Sequence, residues 1–284
     1  MQSTWAKRLV SLLAASSMAL PAPGLTAVEI IAHRGASYDA PENTLSAMRL
    51  AWEQGADAIE LDLWLSRDGR LVVFHDADTK RFGGSARKVS EQTWAELQQL
   101  DVGGWKDLRF KGERIPTLES ILATVPVGRR AVLEIKCGPE ILDALEQALQ
   151  AAGGRPEQLA IISFSYETLR RAKQRFPQIP HYLLHDYKKR PDTGQYPELG
   201  PLLAQAKAGG FQGLNLHFDW PITEAFAAAV KTQGLKLLVW TVDDPAVARR
   251  LVKAGVDGLT TNRPGWLRAQ LQSSSSLARE RQPE

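Results

Sequence analysis

Ile59-Glu60-Leu61-Asp62-Leu63-Trp64-Leu65 places aliphatic residues at every odd position and Glu60, Asp62 and Trp64 at the even ones. Successive side chains of a strand point to opposite faces, so this stretch reads as a strand with one aliphatic face and one acidic face. The aliphatic face needs a layer packed against it, and helices covering a sheet supply one. In an α/β barrel the helices lie outside, so both carboxylates point inward, toward the mouth where the C-terminal strand ends gather.

The rest of the chain repeats the unit. Short apolar runs at 28–33, 131–136, 159–163, 181–184, 213–216, 235–241 and 257–261 join the run at 58–65. Amphipathic helical patterns fall between them at 43–54, 139–152, 166–176, 199–208, 223–233 and 245–254, with another after Pro264. Eight strand–helix units predict a closed TIM (β/α)8 barrel. An open doubly wound sheet fits less well, because no Gly-rich dinucleotide turn follows the first strand. One segment breaks the rhythm. A turn at Asp68-Gly69 leads into an apolar run at 71–75, and a Gly-rich, charged insertion follows at about 77–116. It contains a short helical pattern at 90–100 and a turn at Gly103-Gly104-Trp105. Such an insertion either walls a substrate pocket or is passive surface.

A length of 284 residues suits one α/β barrel, and 44% hydrophobic with 24% charged residues suits a full core. A net charge of +3 gives little support for a nucleic-acid or anionic-membrane partner. The single cysteine, Cys137, excludes an intramolecular disulfide and a Cys-based zinc site, which leaves oxygen and imidazole ligands for any metal. Lys7-Arg8, an apolar run at 9–20 too short to span a bilayer, and the small and turn-forming residues up to 27 read as an export signal over residues 1–27. An uncleaved N-terminal helix is the alternative. The barrel domain is expected over 28–272, with no stable membrane insertion once the signal is removed, and the Ser-rich, charged stretch 273–284 as a disordered tail.

Two inward carboxylates close together are costly unless positive charge compensates them. A hard divalent cation is one answer, a neutralising Arg or Lys the other. Val132-Leu133-Glu134-Ile135-Lys136 repeats the device, with Glu134 as a third candidate ligand beside Lys136, or as one half of a self-satisfied charge pair. His33, followed by Arg34-Gly35, ends the first strand, and His75, followed by Asp76, ends the run at 71–75. Together the set suits phosphodiester cleavage. A metal with Arg34 and Lys136 would stabilise phosphoryl charge, while one imidazole deprotonates a nucleophile and the other protonates the leaving alcohol. His181, His185 and His217 lack such company. Asn43 or Thr44 reads as a helix cap, as do Asp243 and Asp244, and Trp240 either walls the pocket or packs in the core.

In this order the motifs resemble the glycerophosphodiester phosphodiesterase family. The resemblance runs through His33-Arg34-Gly35, Pro41-Glu42-Asn43-Thr44, Glu60-Leu61-Asp62, Asp68-Gly69, His75-Asp76 and Ile115-Pro116-Thr117-Leu118-Glu119. It continues through Glu134-Ile135-Lys136, Ser163-Phe164, Trp240-Thr241-Val242 and Gly255-Val256-Asp257-Gly258. It implies a barrel with an extra segment after the second strand, and Glu60, Asp62 and Glu134 as ligands of Mg2+ or Ca2+. It also implies His33 and His75 as the acid–base pair, Arg34 and Lys136 on the phosphate, and a small glycerophosphodiester as substrate. Competing readings are a lipid-acting relative resembling lysophospholipase D or sphingomyelinase D, and a barrel without turnover that serves as a binding module. Two positions depart from the pattern of many relatives: Asn262 stands where Asp is common, and Ser66 where Thr is common.

Overall fold

The computed structural model describes residues 28–83 and 86–279, so the expected export signal at 1–27 lies outside the described residues. In chain order the elements are β1 (Glu29–Ala32), α1 (Leu45–Glu53), β2 (Ala58–Leu65), β3 (Leu71–Val73), α2 (Trp94–Leu97), α3 (Leu118–Leu122), β4 (Arg130–Ile135) and α4 (Leu142–Ala151). They continue as β5 (Leu159–Ser163), α5 (Tyr166–Arg175), β6 (His181–His185), α6 (Leu199–Ala208), β7 (Gly213–His217), α7 (Glu224–Lys231), β8 (Lys236–Trp240), α8 (Pro245–Ala254), β9 (Gly258–Thr261) and α9 (Pro264–Arg279). Parallel pairing runs β1-β2-β4-β5-β6-β7-β8-β9 and returns from β9 to β1. This is the closed eight-stranded barrel expected from the repeat.

Seam lengths differ. β2 and β4 pair over six positions, from Ala58↔Arg130 to Leu63↔Ile135. β1 and β2 share only two, Ile31↔Ala58 and Ala32↔Ile59. Higher on that edge β2 is met instead by β3, antiparallel, from Leu63↔Val73 to Leu65↔Leu71. The turn at Asp68-Gly69 that makes this hairpin is closed by Ser66, whose hydroxyl donates to Asp68 (2.6 Å) and accepts from the Arg70 amide (2.9 Å).

Alternation along the strands sorts the interior from the shell. Ile31, Ala58, Val132, Ala160, Ile162, Tyr182, Leu184 and Leu238 form the apolar middle of the barrel. Below it Arg130 pairs with Glu29 at 2.6 Å. Ile59, Leu61 and Leu63 point the other way, into the larger core between strands and helices. The insertion has a small core of its own, in which Val72, Phe74, Val89, Leu97, Val102 and Ile115 pack with Trp64 and Phe82.

Two elements differ from the sequence expectation. The helical pattern at 90–100 becomes a 3-10 turn at Val89–Glu91 and then α2, because Thr93 takes an extended backbone and caps α2 in a box with Glu96. α9 runs past Ser273 to Arg279, beyond where a disordered tail was expected; serine costs a started helix only a few tenths of a kcal/mol per residue (about 0.5).

Candidate active site

Two neighbouring strands bring the acidic residues together. Glu60 and Asp62 rise from β2 and Glu134 from β4, in register with Asp62. One carboxylate oxygen from each lies within 4.8 Å of the other two, and all three residues are buried. A hard cation at about 2.3–2.6 Å from each oxygen spans ligand pairs up to about 5 Å apart, so the spacing fits one ion. The donor set fits as well. Glu60 Oε1 has no hydrogen-bond partner among the described residues, and Asp62 Oδ1 meets only the Lys136 ammonium, at 3.4 Å.

Electrostatics show the strain of this cluster. Burial, then the charges of Asp62 and Glu134, push Glu60 well above the ordinary carboxylate value. Burial and Asp62 raise Glu134 to about 7, against the pull of Lys136. Asp62 goes the other way: burial opposes ionisation, but Arg34 and Lys136 outweigh it and hold its carboxyl below the usual range. The two cations are themselves engaged. Lys136 Nζ lies 2.9 Å from Glu134 Oε1, and Arg34 lies 3.1 Å from Glu42 and 3.4 Å from Asp62 Oδ2.

The loop after β1 is bent to serve the site. Arg34 and Asn43 have φ of 55° and 58°, left-handed values that non-glycine residues seldom adopt. The bend turns the Arg34 amide onto Glu60 Oε2 at 2.9 Å. Gly35, at φ 81°, lets the loop lie on Ala47; a Cβ there would meet the Ala47 carbonyl carbon at 2.6 Å. Thr44 is the cap of α1, while Asn43, buried, bonds Asp62 through both ends of its amide. Asp244 caps α8, whereas Asp243 turns to the end of β9 and accepts from Thr261 Oγ1, Asn262 N and Asn262 Nδ2.

Both expected histidines reach the mouth. His33 Nδ1 lies 2.7 Å from Asn262 Oδ1, and His75 Nδ1 lies 2.8 Å from Asp76 Oδ1. Burial first, then the Arg34 charge, hold the His33 imidazole down to about 4, so its ring is neutral at neutral pH. Arg81 of the insertion bonds both Asp76 and Glu42, so the insertion touches the residues that flank His75 and Arg34. A cavity of about 160 Å3 opens between His33, Arg34, Glu60, His75, Glu134 and Lys136 on one arc of the barrel and Ile162, Phe164, Leu184 and Trp240 on the other, with Asn215 and Thr260 also lining it. Trp240 is thus a pocket wall; it donates from Nε1 to the Asn215 carbonyl, and the Phe164 ring meets it edge-on at 5.6 Å.

The remaining histidines stay out of the cavity lining. His217 meets Trp240 edge-on, His185 meets Trp220 in the same way, and His181 faces the outer shell with Nδ1 on the Ile179 carbonyl. Reading the sequence missed Asn43, Phe164, Asn215 and Asp243. Two of them carried a signal: Phe164 continues the inward alternation of Ala160 and Ile162 past the strand end, and Asn215 stands between Leu214 and Leu216, which face the outer core.

Residues 33–266 match the model of the glycerophosphoryl diester phosphodiesterase family. The chain belongs to this family. Among its members the chain is 35% identical over 243 residues to a glycerophosphodiester phosphodiesterase of Caldanaerobacter subterraneus, covering 84% of this chain and 95% of that one. It is 30% identical over 252 residues to the glycerophosphodiester phosphodiesterase of Bacillus subtilis, covering 82% and 83%. Among solved structures, an Oleispira antarctica phosphodiesterase in complex with the product sn-glycerol-3-phosphate superposes with a TM-score of 0.74 at 30% identity, covering 86% and 96%. The family's glycerophosphodiester phosphodiesterase from Agrobacterium tumefaciens gives a TM-score of 0.69 at 28% identity, covering 85% and 99%. The family's reaction, phosphodiester hydrolysis, matches a mouth that joins acidic, basic and imidazole groups around one cavity.

Proposed function

We propose that the protein hydrolyses glycerophosphodiesters, such as glycerophosphocholine or glycerophosphoethanolamine, to sn-glycerol 3-phosphate and a free alcohol, with Mg2+ or Ca2+ held by Glu60, Asp62 and Glu134. The observation that carries this reading is the convergence of three buried carboxylates within 4.8 Å, beside two histidines and two cations in one cavity. The ion, when bound, supplies Lewis-acid stabilisation of charge on the phosphoryl oxygens. Arg34 and Lys136 orient the phosphate and add positive charge where the transition state gathers negative charge. His33 is neutral and leans on an amide, which suits it to take the proton of the nucleophile as its oxygen bonds phosphorus, whether that is water or a substrate hydroxyl whose cyclic phosphate water then opens. The bond from phosphorus to the leaving oxygen breaks as His75 gives that oxygen a proton, and the Asp76 carboxylate holds the His75 ring by its other nitrogen. Phe164 and Trp240 offer apolar faces to the carbon skeleton of the substrate.

A lipid-acting reading has one observation in its favour. Tyr38, Trp105 and Phe164 are large and exposed: Tyr38 follows β1, Phe164 follows β5 and lines the cavity, and Trp105 packs on Phe82 of the insertion. No helix among the described residues is long and apolar enough to cross a membrane. The basic-then-apolar segment at 1–27 supports an exported, periplasmic or secreted protein, which fractionation and N-terminal sequencing of the mature chain would check.

The deciding experiment strips the purified protein with chelator, restores Mg2+ or Ca2+, and follows release of the free head-group alcohol, choline or ethanolamine, from glycerophosphocholine, glycerophosphoethanolamine and lysophosphatidylcholine. Turnover of the first two that vanishes with chelator and returns with the ion is expected. Full activity in chelator would remove the metal from the reading, and preference for the lysolipid would transfer it to the lipid-acting alternative.

A further inference from the structure

We infer that Asp243 and Asn262 are positioning residues that place the His33 proton on Nδ1 and leave Nε2 as the nitrogen that can accept; the inference rests on His33 being the base of the reaction proposed above.

The argument is one of donors and acceptors. A carboxylate only accepts. Asp243 Oδ1 already takes Thr261 Oγ1 and the Asn262 amide, both at 2.8 Å, and Oδ2 takes the Asn262 side chain at 2.6 Å. Only the NH2 end of the Asn262 side chain can satisfy that last contact. Its carbonyl end must then face the other way, toward His33 Nδ1 at 2.7 Å and the Ser37 hydroxyl at 2.8 Å. A carbonyl oxygen can be met only by a donor, so Nδ1 carries the hydrogen. A neutral imidazole has one donor and one acceptor nitrogen, which leaves Nε2 with its lone pair. His33 lines the cavity, and Nε2 is the ring nitrogen not taken by Asn262. The carboxylate common at position 262 in many relatives is therefore supplied one hydrogen bond further from the histidine, at Asp243.

A purely structural role would tie β9 to β1 without regard to polarity, and exchanging the polarity separates the two. In Asp243→Asn the Oδ1 site must still accept from Thr261 and the Asn262 backbone, so the new NH2 faces Asn262. That turns the Asn262 side chain over and presents its NH2 to His33 Nδ1, driving the ring hydrogen to Nε2. Hydrogen bonds are conserved, yet the base is disabled. Adding Asn262→Asp restores an acceptor facing both His33 and the new amide at position 243, and with it the original ring form.

The test records imidazole 15N shifts at neutral pH, together with kcat, KM and melting temperature on glycerophosphocholine. It compares the wild type, Asp243→Asn and the double variant Asp243→Asn/Asn262→Asp. The wild type should show His33 hydrogenated at Nδ1. Asp243→Asn should move the hydrogen to Nε2 and lower kcat by about a hundredfold or more, with KM and melting temperature little changed. The double variant should return both the ring form and most of kcat. An Nε2–H ring in the wild type, full activity in Asp243→Asn, or a double variant no better than the single one would overturn the inference. A wild type that turned over no diester would overturn the proposed reaction instead, and the 15N shifts, which need no turnover, would still decide on the ring.

Discussion

Asn43 Nδ2 donates to Asp62 Oδ2 at 2.8 Å, and the Asp62 amide donates back to Asn43 Oδ1 at 3.2 Å. The pair fixes the carboxylate plane and leaves Asp62 Oδ1 to the proposed cation site. Asn43→Gly keeps the left-handed backbone and removes only the clamp. Divalent-cation affinity should fall about 10–100-fold, read by titrating the ion against activity or melting temperature. Unchanged affinity would mean that Asp62 holds its orientation without help.

Glu60→Gln removes one member of a mutually repelling group at constant shape. Turnover should drop by at least about a hundredfold. The metal-free protein should melt no lower than the wild type, because burial and its two acidic neighbours disfavour the Glu60 charge. Melting curves in chelator and in Ca2+ check both halves, and the variant should gain far less from the ion. Loss of fold in chelator would show that Glu60 is structural.

His75→Ala should lower kcat by about 10²–10⁴-fold with a much smaller change in KM, as expected for a proton donor that acts in the transition state. Steady-state kinetics on glycerophosphocholine give the split. A defect confined to KM would assign His75 to binding.

With Glu134 as a ligand in the proposed site, proton and cation compete for it. Its carboxyl is raised from 4.5 to about 7, so in the metal-free protein its contribution to stability is full below about 4.5 and is lost as pH rises through about 7. His33 is held down from 6.5 to about 4 and has the opposite sense: its contribution is full above about 6.5 and is lost as pH falls through about 4. The rise in melting temperature given by Ca2+ should therefore be small at mildly acidic pH and grow as pH passes through about 7. A rise independent of pH over that range would exclude Glu134 as a ligand.

At the other end of the barrel, Arg130→Met strands Glu29 without its cation. The pair is about one-fifth exposed, at 21% for each side chain, so the cost should be lower than for a fully buried pair, about 2 kcal/mol. Denaturant titration measures it, and kcat of the folded protein should stay as it was.

The barrel was legible because its signal is local. Eight short apolar runs with helical patterns between them fix a closed sheet, and alternation along 59–65 is enough to turn Glu60 and Asp62 inward. The orienting residues were not legible, because their partners are remote in sequence. His33 and Asn262 lie 229 residues apart, and Asn43 lies 19 from Asp62, so no periodicity links them. Asn43 and Asp243 were also hidden by company: each stands beside a residue, Thr44 or Asp244, that is the actual helix cap. A cap motif with a spare polar residue next to it carries two messages, and only the nearer one can be read from spacing.

The two-rung join between β1 and β2 has a mechanical consequence. His33 rides on one side of it and the acidic pair on the other, so any slackening there separates the proposed base from the proposed metal ligands. What spans the gap is held by side chains: Arg34 on Glu60 and Asn43 on Asp62 above, and Asp57 below, which accepts from the Ile30 amide and pairs with Arg129 and Arg268. Amide hydrogen exchange along these two strands should be faster in the chelated protein and slow when the ion returns, more than along the equally short β8–β9 join, since filling the acidic cage draws both bolts tight.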